Sequence, residues 1–456
     1  MATSRRDFIV GGGALFLSAS LIKTSAAGQI EPTNVRDADT IIIGAGPAGL
    51  SAAHELVDAG KSVIVIEARQ RTGGRMWSDH SFSQNVPIEL GAELIHGGLT
   101  ENSLWQIVKK EKIATHLVER MFARYSANTK WVSTSEDRFY SFPLYKPQRP
   151  ASFKPLKSDK NAEEYLNRLG IVKENRPLAL LETTIDREPF EKMHPGEISD
   201  EVSQLWLDAS DREEENADSG DFKVTQGYDS ILASLSEGLY IQLDTVVTQI
   251  QDNGSSVLVT AIHNNQHLQF SAKNCVVTIP APVLLTNKVK FIPSLSHEKL
   301  NALRSGRSVP VAKIIMAFDR KILPLHSDRL DDFSQIIPCV WNASAGIPDY
   351  KGQILVGWST GDNARKLLSL TESDRYEHML RVVRNITGIS DLMYQKATMH
   401  DWSRDPYSLG AYGCWDDEEC ILESVGNIYW AGVVLSQVNY AHDSGVKAAK
   451  AILKNG

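Results

Sequence analysis

Only four cysteines occur in 456 residues, Cys275, Cys339, Cys414 and Cys420, and no pair stands in C-x-x-C spacing. Neither a disulfide framework nor a cysteine-based metal centre therefore organises the chain, and no metal is expected. No apolar run reaches the ~20 residues that a membrane-spanning helix needs. No internal repeat is evident, and basic residues are in deficit: the formal net charge is −8, which argues against nucleic acid as a partner. What remains, 42% apolar and 23% charged residues, is an ordinary globular balance. The length predicts two or three domains of about 100–200 residues each.

The first 27 residues stand apart. Ser4-Arg5-Arg6-Asp7-Phe8-Ile9 is a twin-arginine pattern, followed by the moderately apolar Ile9 to Ile22 and the small residues Ser25-Ala26-Ala27. The pattern reads as an export signal cleaved after Ala27, placing the mature protein in the periplasm or outside the cell with no stable membrane span. A retained signal anchor is the alternative. Cleavage removes Arg5, Arg6, Lys23 and Asp7 and takes the net charge to −10, compatible with cationic small molecules. In an exported chain a Cys414–Cys420 disulfide is permitted, while Cys275 lies in a strand pattern and reads as core.

The stretch that organises the rest is Thr40-Ile41-Ile42-Ile43-Gly44-Ala45-Gly46-Pro47-Ala48-Gly49. A β-branched run enters G-x-G-x-x-G and passes into an alanine-rich helical pattern, the context that makes these glycines a dinucleotide fingerprint. Gly44 allows the tight turn, Gly46 lets the backbone approach a pyrophosphate, and Gly49 lets helix and strand pack closely. The phosphates would sit at the helix N-terminus beside Pro47 and Ala48. A second strand, Ser62 to Ile66, ends at Glu67, where an acidic side chain bonds ribose hydroxyls and disfavours a 2′-phosphate. Gly73-Gly74-Arg75 then offers a second close backbone approach with a phosphate-clamping guanidinium.

Carried on these motifs, on Gly91-Ala92-Glu93-Leu94-Ile95-His96-Gly97 and on the closing segments His400 to Tyr412 and Gly426 to Gly432, the chain resembles the flavin-containing amine oxidases, the group of monoamine, polyamine and L-amino acid oxidases. The resemblance runs from Ile41 to Leu453 and implies FAD. It implies cofactor contacts at Gly44, Gly46, Pro47, Ala48, Gly49, Glu67, Ala68, Arg69, Gly74, Arg75, Gly91, Ala92 and Glu93. Further contacts are implied at Val247, through its backbone to adenine, and at Gly432, Val433 and Val438. Lys313, which interrupts the apolar strand pattern Val311 to Phe318 and by itself would read as a lysine reaching for solvent, matches the family's lysine held by water near flavin N5. Tyr412 matches the family's substrate-pocket aromatic, with Trp402 and Tyr407 as companions.

Departures from the family pattern carry information. Ala411 stands where monoamine oxidases have the cysteine that attaches flavin, so FAD is expected to be non-covalent. Val433 replaces a glutamate, and Tyr440 replaces a glycine three residues after Gln437, so Gln437 and Tyr440 are expected to reshape the pocket. Leu94 stands where L-amino acid oxidases tend to carry an arginine. Without that clamp a substrate carboxylate loses charge-assisted hydrogen bonds worth about 1.5–3 kcal/mol each. Glu93 and His96, similar to the polyamine oxidase branch, are either holders of a distal substrate ammonium or solvated loop residues.

The implied fold is α/β: a doubly wound, Rossmann-like FAD-binding domain (38–100, 222–285 and 395–456) interleaved with an α+β substrate domain (101–221 and 286–394). Within the latter, 101–221 reads as mostly helical, with solvated loops at 146–160 and 211–218. The implied activity is oxidation of an amine by hydride transfer from its α-carbon to flavin N5. Imine hydrolysis follows, and reoxidation by O2 gives H2O2, or a periplasmic acceptor takes the electrons. The alternatives are an L-amino acid oxidase that uses another arginine, near Arg75 or at Arg124, and a flavin-binding protein without turnover. N-terminal sequencing of the exported protein is expected to begin at Gly28; a start at Met1 would mark a retained anchor.

Overall fold

Thr40–Ile43 is buried on both faces because its strand, Val35–Ile43, lies inside an eight-stranded sheet. Parallel neighbours Val63–Ile66 and Gln266–Val277 flank it, with Ile42 opposite Val65 and Val276. Tyr240–Gln242 extends one side. On the other, Val257–His263, Thr245–Asp252 and Lys290–Ile292 follow, and Ile428–Trp430 adds a further parallel pairing to Gln266–Val277. These coordinates form a computed structural model that describes residues 35–83, 85–96, 102–118, 123–126, 129–133, 221–323, 328–331, 336–415, 417–434 and 437–455. The export segment and the stretches 146–160 and 211–218 lie outside them.

Continuous apolar strands require cover on both faces. The helix Pro47–Asp58 covers one, with Pro47 at its first turn and the C-terminal helix Val438–Asn455 beside it. The two helices approach so closely that a Cβ on Gly445 would lie 2.1 Å from the Ala48 carbonyl oxygen. The first turn of that helix carries Val438 and Ala441, which pack against the core and line the crevice.

A seven-stranded sheet forms the second layer: Lys396–Thr398, Val311–Phe318, Gln353–Thr360, Cys339–Asn342, Arg329–Asp331, Ala123–Ser126 and Thr129–Ser133 in that order. Val311–Phe318 is buried throughout. Its two-residue period sends Ala312, Ile314, Met316 and Phe318 to a core that includes the helix Glu372–Thr387. Ile315 and Ala317 go to the opposite face, against Phe82, Val86, Ile88 and Leu90. Lys313 shares that second face, so it points at the loop leading to Gly91. Glu372–Thr387 is bounded by its sequence: the Thr371 hydroxyl accepts from Asp374 N–H, and Gly388 ends it at φ +71°.

Several boundaries differ from the sequence reading. Lys396–Thr398, expected with the FAD-binding layer, pairs with Val311–Phe318, and Lys290–Ile292, expected in the substrate layer, joins the first sheet. The described part of 101–133 holds one helix, Leu104–Lys110, and three strands. Thr115, Val118, Tyr125, Trp131 and Val132 supply the β-branched and aromatic content that favours strand there. Gln266–Val277 is one continuous strand through Lys273-Asn274, with Asn274 opposite Thr40. His263 and His267 do stand in H-x-x-x-H spacing, but across the Asn264-Asn265 turn of a hairpin, and no metal-holding group occurs among the described residues. Cys420 is a free thiol. Among the described residues no helix is long and apolar enough to cross a membrane.

Gly445→Val would force the two helices apart. Overpacking of this kind costs about 1–3 kcal/mol or more, so a melting temperature several degrees lower and reduced cofactor retention are expected by thermal scan.

Candidate active site

The turn after the first strand is held by a carboxylate. Glu67, buried at the end of Val63–Ile66, accepts Ala45 N–H at Oε2 and Arg69 N–H at Oε1, both at 2.8 Å. A Cβ on Gly49 would lie 1.9 Å from Gly44 O, so no larger residue allows the helix this close. A Cβ on Gly46 would meet nothing within 4 Å, and one on Gly74 would lie 3.5 Å from Gly46 Cα. Both glycine stretches therefore face one open crevice, with the unpaired N–H groups of a helix start at its edge. Such a cradle fits a pyrophosphate. Arg71, which the sequence reading passed over, shapes the second stretch: its guanidinium donates to the carbonyls of Thr72, Gly74 and Met76 and lies 4.3 Å from the centre of the Trp77 ring.

The crevice continues as a cavity of about 360 Å³ that runs to Lys313, within the ~300–1,000 Å³ usual for small-molecule sites. At the nucleotide end Gly44, Gly46, Pro47, Ala48, Glu67 and Ala68 line it, with Arg69, Gly74 and Arg75 following. Gly91, Ala92, Val247, Gly432 and Val438 line it as well. Val247 does so at an irregularity in its strand pairing. Arg69 reaches Asp405 Oδ1 at 2.6 Å and Ser408 Oγ at 2.8 Å. Burial works to raise the Asp405 carboxyl, but His400, Arg69 and Tyr407 N–H outweigh it and hold Asp405 well below the usual carboxylate range. Arg75 Nη1 donates to Ala411 O at 2.8 Å.

At the far end the register of the second sheet sets Lys313 opposite Trp358. Trp358 packs edge-on to Tyr412, with ring centroids 5.8 Å apart, and both line the cavity. Trp402, Tyr407 and Gln437 complete the wall. Trp402 is fixed by donating Nε1–H to Leu90 O at 2.9 Å. Trp358 was not singled out from the sequence, where it reads as one more residue of an apolar strand; its pairing with a buried lysine is the signal that marks it.

Lys313 does not reach for solvent. Its ammonium meets Glu93 Oε2 at 2.7 Å and donates to Gly91 O at 2.9 Å. Glu93, expected on the wall as a cofactor or ammonium contact, instead lies behind Lys313, where Trp341 Nε1–H donates to its Oε1 at 3.2 Å. Burial works to raise the Glu93 carboxyl, and the charges of Lys313 and Lys223 override it, keeping it below the ordinary glutamate value. Glu89 is pushed up by burial to about 7, against hydrogen bonds from Tyr228 N–H and the Ser78 hydroxyl.

Four other expected site residues do not line the cavity. Gly49 faces Gly44. Val433 turns into the core beneath the first sheet, the place a side chain without polar atoms prefers. Tyr440 is on the exposed side of the terminal helix. His96 pairs with Asp221 at 2.7 Å in a small sheet, of which Leu94 is also part. The Arg124 side chain lies outside the described residues.

Comparison with known proteins supplies the wider setting. The chain is 26% identical over 447 residues to polyamine oxidase 4 of Oryza sativa subsp. japonica, covering 90% of this chain and 87% of that protein. It is 24% identical over 467 residues to lysine-specific histone demethylase 2 of Homo sapiens, covering 96% of this chain and 56% of that protein. Among solved structures, putrescine oxidase bound to putrescine superimposes with a TM-score of 0.70 at 17% identity, covering 92% of this chain and 100% of that one. Cyclohexylamine oxidase from Brevibacterium oxydans does so at 0.68 and 18% identity, covering 92% and 99%. The family model described as flavin containing amine oxidoreductase matches residues 47–453, and the chain belongs to that family as an FAD-dependent amine oxidoreductase.

Proposed function

We propose that the protein oxidises amines lacking an α-carboxylate. The observation that carries this reading is the end of the cavity where Lys313 faces Trp358 and Tyr412. The Lys313 charge is compensated by Glu93, so it is no ready clamp for a carboxylate. Leu94, off the cavity, supplies no guanidinium.

FAD held along Gly44 to Ala48, Gly74 and Gly91 would supply a hydride acceptor at N5, with O2 and two protons giving H2O2, or a periplasmic acceptor, as the sink for the electron pair. The chain's own residues do the rest. Trp358 and Tyr412 present aromatic faces that orient a neutral amine and exclude water. Lys313, fixed by Glu93 and Gly91 O, keeps its third N–H for the wall, where it positions a water molecule. The resulting imine hydrolyses to a carbonyl compound and ammonia or a smaller amine. Ala411 offers no nucleophile to the cofactor, which supports non-covalent binding. Loading of FAD before twin-arginine export, followed by work in the periplasm, fits the N-terminal segment.

Acid is expected to release all of the yellow colour from purified protein; colour remaining with the polypeptide would show a covalent link. Anaerobic mixing with monoamines and polyamines is expected to bleach the flavin, and L-amino acids to leave it oxidised; bleaching by amino acids would overturn the carboxylate argument. Lys313→Met is expected to slow bleaching by about 10²-fold, with little change in the amine concentration at half-saturation.

A further inference from the structure

One titratable side chain on the cavity wall has no task in the reaction outlined above. His400 lines the cavity, its side chain three-quarters buried, and its Nε2 lies 3.2 Å from Asp405 Oδ2. Asp405 is an anion here: against the pull of burial, His400, Arg69 and Tyr407 N–H hold its carboxyl low. An ionised carboxylate only accepts, so the facing His400 nitrogen carries the proton and donates. The other carboxylate oxygen is taken. Oδ1 accepts from Arg69 Nη2 at 2.6 Å, from Tyr407 N–H at 2.9 Å and from the Ser408 hydroxyl at 3.0 Å. Among the described residues the partner of Oδ2 is His400. The His400 ring is packed edge-on against Trp402, with centroids 4.4 Å apart, and against Trp77 at 5.0 Å. At the other end of these contacts stands Arg69, which lines the cavity two residues after Glu67. Its guanidinium also meets Ser408 Oγ at 2.8 Å and lies 5.4 Å from the centre of the Tyr407 ring. All its partners in 405–408 belong to one turn, which His400 ties back to the aromatic wall.

We propose that His400 is a positioning residue for cofactor retention: by donating to Asp405 it locks the carboxylate that holds Arg69 at the nucleotide end of the cavity. Its influence passes through one carboxylate to one guanidinium. Charge-assisted hydrogen bonds are the strong ones, and a carboxylate held at both oxygens cannot turn away from its arginine. Two properties of the side chain can be separated. Phenylalanine keeps the ring packed against Trp77 and Trp402 and loses the donor; glutamine loses the ring and keeps an N–H at similar reach. The proposal concerns how FAD is held and does not depend on which amine is oxidised.

The test uses FAD-loaded protein and the variants His400→Phe, His400→Gln, Asp405→Asn and the double variant His400→Phe/Asp405→Asn. Each is diluted, and the flavin fluorescence that returns as FAD leaves gives its dissociation constant without any amine. His400→Phe is expected to weaken FAD about tenfold, and His400→Gln to stay within about threefold of wild type. The double variant is expected to match Asp405→Asn alone. The reverse order, with His400→Gln losing as much FAD as His400→Phe or more, would overturn the proposal and leave ring packing as what His400 supplies. Independent losses in the double variant would overturn it too. His400→Leu stands in where His400→Phe does not accumulate as holoprotein, and failure of both to fold would assign His400 to folding alone and overturn it. A flavin that stays with the denatured polypeptide would do the same, since retention would then not depend on Arg69. If the losses follow the expected order and no amine bleaches the flavin, the substrate reading fails and the positioning role stands.

Discussion

One ion pair joins the two layers of this protein. Lys313 comes from the strand next to one edge of the second sheet, Glu93 and Gly91 from the segment that follows the second glycine turn, and their contact at 2.7 and 2.9 Å closes one end of the cavity. Buried pairs are weak evidence for stability, since desolvation offsets most of the attraction, but removing one partner alone is strongly destabilising. The consequence is geometric: the pair fixes where one sheet stands relative to the cradle built on the other. Trp358, Tyr412 and Trp402 are placed by the same arrangement, through the Lys313–Trp358 register and the Trp402–Leu90 hydrogen bond.

The cradle was legible in the sequence because its signals are local. Gly44, Gly46, Gly49 and Glu67 fall within two strands and a helix, and each has a physical task that spacing reveals. Lys313 by itself reads as a lysine reaching for solvent, and only the family resemblance placed it at the site. Glu93 was misread as a wall residue because its partner lies more than two hundred positions away, and no local pattern tells a solvated loop carboxylate from a counter-ion. Val433 and Tyr440 failed for a related reason: matching a motif position does not fix which way a side chain turns, and the apolar Val433 turns into the core. Trp358 and Arg71 were missed because strand tryptophans and loop arginines are ordinary until their neighbours are known.

The electrostatics divide the cavity into two ends of different character. Near the glycine turns, Glu67 spends its oxygens on backbone N–H groups and Arg69 pairs with Asp405, an arrangement of fixed dipoles suited to a ligand that carries its own charges. Near Lys313 the wall is aromatic and the Lys313 ammonium is neutralised from behind by Glu93. The polar end and the aromatic end therefore differ in character, and the step from one to the other occurs across Gly91 and Ala92.

The contact of Gly445 with Ala48 has a bearing on how the protein is made. The first wall of the crevice, Gly44 to Ala48, is synthesised well before Gly432, Gln437 and Val438, which line the same cavity. Until the terminal helix docks, the cradle lacks one side and the Ala48 surface is bare. The complete cradle therefore waits for the terminal helix, which leaves a long interval in which the nascent first layer must be kept from other apolar surfaces.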